Sequence, residues 1–157
     1  MTIDSEFMQQ AIDLATTKML EGQGGPFGAI IVRDGAVIAQ GWNRVTSSLD
    51  PTAHAEIDAI RKACQRLDSF RLGGCEIFIN CEPCPMCLAA LYWAGIQKIT
   101  YAASRKDAAT IGFADDWIYD EMTKPKAARA LTMRQFMREE AMTSFKAWQE
   151  MEGKIAY

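Results

Sequence analysis

Two short segments constrain this chain more than any others: "PTAHAEIDAI", with His54 and Glu56, and "NCEPCPMC", with Cys81, Cys84 and Cys87. Each sits where a helix is expected to begin. Pro51 and Thr52 can start a helix that runs to about Leu67, with Ala55, Ala59, Ile60 and Ala63 at packing positions. Pro85 suits the first turn of another helix reaching about Trp93. A fold that aligns the two helix starts places an imidazole beside two thiols.

Cys84 and Cys87 straddle the expected start of the second helix, so their sulfurs can converge where helix-end amides favour the thiolate. Two thiolates alone do not close a tetrahedral site. His54 is the one histidine in the chain, and its ring completes a His-Cys-Cys set with water at the fourth position, as in a catalytic zinc site. Two plainer readings compete with this one. CxxC can be a redox pair, although that leaves His-x-Glu unused, and a lone histidine at a helix start is often an ordinary polar residue. Glu56 lies two residues from His54, where it can flank a metal without ligating it and move a proton from activated water to a substrate nitrogen. A first-turn carboxylate also suits the helix dipole, which is compatible with that role. Cys81 belongs to a strand end and should point elsewhere, while Cys64 and Cys75 read as buried small side chains.

Periodicity supplies the rest of the scaffold. Residues 6 to 20 read as an amphipathic helix ending near Gly22, and "AIIV" and "VIAQGW" flank Asp34-Gly35, a strong hairpin signal. "CEIFIN" and "KITYAA" are strands, so the order is helix, hairpin, helix, strand, helix, strand: one sheet with helices on its faces. Past Ser104 the pattern weakens. "GFADDWIYDEM" reads as a loop and a short helix, "ARALTMRQF" is ambiguous, and "EEAMTSFKAWQEMEGKI" is a helical tail with Phe145, Trp148 and Met151 as an apolar stripe.

With 157 residues and 49% apolar content, the chain fits a single domain with a sizeable core. Its 17 basic and 20 acidic residues give a net charge of -3, with no basic block, which argues against a nucleic-acid partner. Neither a signal-peptide pattern nor a long apolar run is present, so a soluble cytoplasmic protein with no membrane partner is expected. Five clustered cysteines favour free thiols or metal ligands over a disulfide scaffold.

His-Ala-Glu followed by Pro-Cys-x-x-Cys is the zinc deaminase signature, and the chain resembles the cytidine and deoxycytidylate deaminase superfamily along essentially its whole length. "HAEIDAIRKAC" and "CEPCPMCLAALYWAGI" resemble the branch that contains bacterial guanine deaminases and tRNA adenosine deaminases. The tail segments "IGFADDWIYDEMTKP" and "SFKAWQEMEGKIAY" resemble the guanine enzymes. This resemblance implies a three-layer α/β/α fold with a central mixed five-stranded sheet. It implies Zn2+ on His54, Cys84 and Cys87, and a homodimer in which about residues 130–157 swap onto the partner subunit.

It further implies Glu56 as proton shuttle and Asp115 as a second acid, with Asp116 as the alternative. Asn43 would hydrogen-bond the purine, and Tyr157 would help close the partner's pocket. Apart from the resemblance, Phe27, Ala55 and Trp93 are candidates to line a base site with Phe113 and Trp117 as further walls, and each of these aromatics suits the core equally well. Read without the resemblance, Asn43 more often closes a turn, and adjacent loop acids are usually solvated. The implied reaction is hydrolysis of guanine to xanthine and ammonia in purine catabolism or salvage. The same chemistry serves other amidine-like rings, so guanosine, cytosine or ammeline are alternatives. A tRNA adenosine deaminase and a non-catalytic zinc-binding protein are the remaining ones.

Overall fold

Asp34 and Gly35 both take positive φ, 50° and 74°, the backbone that lets a two-residue turn follow the twist of the strands it joins. Those strands, β1 (Gly28–Arg33) and β2 (Ala36–Trp42), pair antiparallel with an irregularity between Ile31 and Val32. On its other edge β1 pairs antiparallel with β3 (Cys75–Cys81), and β3 pairs parallel with β4 (Lys98–Ala103). The result is a mixed sheet of order β2-β1-β3-β4. The computed structural model describes residues 2–157.

Side-chain alternation sends the central strands' residues into two cores. Ile30, Val32 and Phe78 meet Phe7 and Ala11 of α1 (Ile3–Leu20) on one face. Ala29, Ile31, Ile77 and Ile79 meet Ala55, Ala59 and Ala63 of α3 (Ala55–Leu67) and Leu91 and Ala94 of α4 (Pro85–Ala94) on the other. This is the expected three-layer α/β/α arrangement. Its two faces are packed closely where glycine allows it: a Cβ on Gly41 would lie 2.1 Å from the Ala55 carbonyl oxygen, and one on Gly28 2.5 Å from that of Ala11. Glycine at these positions lets α3 and α1 settle directly on the strands.

The expected fifth strand is absent among the described residues. A strand needs a paired row of backbone groups, and nothing after Ala103 pairs with a strand. Residues 129–137 join no ladder, and Leu131, Met133 and Phe136 remain exposed. The loop expected after Asn43 contains a one-turn helix, α2 (Val45–Ser48).

The chain divides into two compact units, one ending at Trp117 and one spanning Ile118–Tyr157. After β4 come α5 (Arg105–Thr110), capped reciprocally by Ser104 and Asp107, and α6 (Asp116–Thr123). In the second unit Glu121 pairs with Lys124 and accepts the Ala130 amide at 2.7 Å, while Arg129 donates to the Lys124 and Met122 carbonyls. Its main helix, α7 (Arg138–Glu150), ends sooner than the sequence pattern suggests: Met151 is extended and Gly153 adopts φ 69°. Phe145 and Trp148 therefore lie on the helix, and Met151 caps it.

Candidate active site

His54 and Cys84 occupy equivalent places. Each is the N-cap of its helix, with extended backbone at φ -72°, ψ 161° and φ -67°, ψ 167°. The histidine thus precedes the first turn that the sequence suggested would hold it. Asp50 accounts for the difference, because its carboxylate accepts from the Thr52 amide at 2.8 Å and hydroxyl at 2.7 Å. This Asx-type turn delays the helix. On α4 the Cys84 sulfur accepts from the Cys87 amide at 3.5 Å, so the prospective metal ligand also caps the helix.

His54 Nδ1 lies 3.5 Å from each of the Cys84 and Cys87 sulfurs, and the three ligand atoms fall within 4.8 Å of one another. Tetrahedral zinc, with bonds of about 2.3 Å to sulfur and about 2.0 Å to nitrogen, holds such N and S atoms about 3.5 Å apart. The donor set fits zinc in chemistry and in spacing.

The thiols are electrostatically unlike. Hydrogen bonding from Cys87, aided by His54 and opposed by burial, brings Cys84 down to about 4. The same bond and burial push Cys87 well up. With no metal bound the two thiols therefore share one proton, held toward Cys87, and zinc would displace it. The Cys84 thiolate also raises His54 against the effect of burial. Cys81 turns away as expected, its sulfur 3.8 Å from the Ser104 carbonyl, and burial lifts it to about 11. Cys75 is buried, whereas Cys64 is half-buried.

Glu56 is buried in the first turn of α3, and that burial raises its carboxyl to about 7, with the Cys84 thiolate adding to the effect. A carboxyl so tuned can hold or release a proton near neutrality. Asp115 is half-buried; burial and then the Cys84 thiolate raise its pKa, with His54 opposing. Asp116 is exposed and its carboxylate accepts from the next amide, that of Trp117. Of the two adjacent acids, Asp115 is the one sensed by the metal ligands.

Asn43 is buried. Its Oδ1 accepts from Gly25 N at 3.1 Å and Val45 N at 3.2 Å, and its own backbone amide donates to Phe27 O at 3.0 Å. Two amide donors fix the oxygen's orientation and leave the Nδ2 hydrogens to offer a ligand. Phe27 meets Phe113 edge-on, with ring centroids 4.9 Å apart. Ala55 is fully buried at the start of α3, where the first amides have no carbonyl within the helix. Trp93 on α4 and Trp117 are exposed, as is Tyr157 in the second unit.

Asn80 is a residue that the sequence pattern did not single out. Its Oδ1 accepts from Gly28 N at 2.9 Å and its Nδ2 donates to Pro26 O at 2.8 Å, which ties down the loop that carries Phe27. A polar residue near the end of the otherwise apolar "IFIN" run was the one signal of it.

Residues 1–103 match the cytidine and deoxycytidylate deaminase zinc-binding region. The chain belongs to this family. The deaminase is 48% identical to guanine deaminase of Bacillus subtilis over 151 residues, covering 96% of this chain and 97% of that one. The X-ray structure of the Bacillus subtilis guanine deaminase superposes with a TM-score of 0.95 at 48% identity, covering 98% of both chains. A tRNA-specific adenosine deaminase of Aquifex aeolicus is 47% identical over 81 residues, 52% of this deaminase and 54% of its relative.

Proposed function

We infer that this chain is a zinc-dependent guanine deaminase that hydrolyses guanine to xanthine and ammonia, in purine catabolism or salvage. The observation that carries this reading is the reach of the guanine deaminase likeness through the tail, 96% of the chain, against 52% for the Aquifex aeolicus tRNA-specific enzyme. Net charge of -3 also disfavours a polyanionic substrate.

His54, Cys84 and Cys87 would hold the zinc. When bound, zinc lowers the pKa of water from about 15.7 to about 7 and so makes hydroxide available at neutral pH. Glu56 accepts one proton of the attacking water as its oxygen adds at C2 of guanine and passes that proton to a ring nitrogen; it then takes the second proton, from the new C2 hydroxyl, and passes it to the amine as the C–N bond breaks and the C2 carbonyl forms. Burial raises its carboxyl above the ordinary carboxylate range, which favours a group that can hold the proton between the two transfers. Asp115 assists protonation of the 2-amino group, which leaves as ammonia. Asn43 Nδ2 donates to an acceptor on the purine edge, and Ala55, at the start of α3, contributes to the base site. Phe27, with Phe113 behind it, forms one wall.

We further propose a cytoplasmic homodimer in which about residues 130–157 cross to the partner subunit, with no nucleic-acid or membrane partner. Tyr157 then helps close the partner's pocket. Support comes from exposed aromatic groups in each unit, Tyr92 and Trp93 in the first and Phe145 and Trp148 in the second, which association would cover. Among the described residues no helix is long and apolar enough to cross a membrane.

Ammonia release by the zinc-loaded protein over guanine, guanosine, adenine, cytosine, ammeline and an adenosine-containing anticodon stem-loop tests the substrate assignment. Guanine should dominate. Release chiefly from another member would keep the zinc chemistry and replace the substrate.

A further inference from the structure

We propose that Asn80 is a positioning residue that fixes the base-reading wall, Phe27 and Asn43, relative to the metal ligands. This rests on the guanine deaminase reading and concerns how its specificity is built.

The pairing of β1 with β3 runs as far as Ala29 and Ile79. Beyond it Gly28 still pairs with Trp42 of β2, but the β1–β3 ladder stops, and Pro26 has no backbone N–H with which to continue it. Asn80 extends the connection with its side chain. Its Oδ1 takes the Gly28 amide at 2.9 Å and its Nδ2 reaches Pro26 O at 2.8 Å, across 52 and 54 residues of sequence. An amide supplies the acceptor and the donor from separate atoms of one neutral group.

From the opposite side Asn43 grips the same loop through Gly25 N and Phe27 O. The loop has little freedom in between: a Cβ on Gly24 would lie 2.5 Å from Asn43 Oδ1, and one on Gly25 3.1 Å from the Phe113 ring. Asn80 itself sits just before Cys81, in the run that leads to Cys84. That run is anchored to its other neighbour as well, since Glu82 N donates to Ala103 O at 2.8 Å and the Glu82 carboxylate accepts from Arg105 N at 2.9 Å. The ligand segment is thereby fixed, and Asn80 carries its position to Phe27 and, through the loop, to Asn43.

A double-mutant cycle tests this. Asn80→Ala should raise KM for guanine about tenfold while kcat stays within about threefold, because ground-state and transition-state binding weaken together. Zinc content should stay at wild-type level, and calorimetric affinity for xanthine should fall by the same factor. In an Asn43→Ala background the same change should cost less than about threefold, since Asn80 acts through a contact already lost. Asn80→Asp keeps the size and the acceptor toward Gly28, and supplies the same comparison if the alanine variant does not fold. Equal factors in both backgrounds, unchanged KM, or a loss that tracks zinc content would overturn the assignment. Wild-type protein that releases no ammonia from guanine would instead overturn the deaminase reading, and the Asn80 role with it.

Discussion

The metal-binding region and the carboxy-terminal unit are built on opposite terms. Around His54, Cys84 and Cys87 every element has a packed neighbour: Ala55 and Ala59 lie fully buried, and the ligands cap helices that rest on the sheet. From Ile118 onward the described residues bury no side chain fully, and Phe136, Phe145 and Tyr157 are exposed. The first region places its chemistry by rules that act within a few residues and by a core of its own. The second has exposed apolar side chains and no fully buried one among its described residues. This contrast locates the metal-site chemistry in one part of the chain and the proposed assembly in the other.

The largest separation between them should come from Cys87→Ala against Tyr157→Ala. Removing a metal ligand should abolish bound zinc by metal analysis and leave ammonia release at background. If Tyr157 closes the partner's pocket as proposed, removing its ring should leave zinc content unchanged and raise KM for guanine about tenfold, since an aromatic contact buried in that assembly is worth about 1 to 2 kcal/mol. Zinc loss in Tyr157→Ala would break the contrast.

Gly41→Ala probes the packing beneath the metal. The new methyl would meet the Ala55 carbonyl oxygen at 2.1 Å and the Ala59 amide at 2.4 Å, both backbone atoms that cannot rotate away. We expect destabilisation of about 3 kcal/mol, the upper part of the range for overpacking, and a lower Tm in calorimetry. A methyl group on Gly153, in the tail, would meet nothing within 4 Å, but the backbone there sits at φ 69°, so alanine should cost about 1 kcal/mol through strain alone.

A smaller and graded effect concerns pH. Cys84 is already a thiolate above about 4, whereas Cys87 is pushed up and His54 raised, so both of these retain protons that a metal must displace. Binding therefore releases between one and two protons, and apparent zinc affinity should rise about ten- to hundredfold per pH unit between about pH 6 and 8. Zinc titrations in buffers of different ionisation enthalpy measure the proton count. Affinity independent of pH would show that the ligands are deprotonated in advance.

Much of this architecture was legible in the sequence, for reasons that differ by element. Asp34-Gly35 announced the hairpin because few residues tolerate two consecutive positive φ values. The ligand set was legible because one histidine and a CxxC pair are chemically rare, and the family match bears out the resemblance they suggested. The exact start of α3 was not: the Asp50 turn that delays it depends on local side-chain geometry. Asn80 was missed because its partners lie more than fifty residues away. The absent fifth strand reflects the same limit, since pairing is settled by neighbours rather than by propensity.

Ammonia release from guanine by Glu56→Gln, compared with wild type at matched zinc content, tests the central claim most directly. Glutamine preserves the size of the side chain and removes its capacity to carry a proton. The account predicts full zinc occupancy and a turnover reduced by about 10²- to 10⁴-fold. Turnover at the wild-type rate with zinc in place would contradict it.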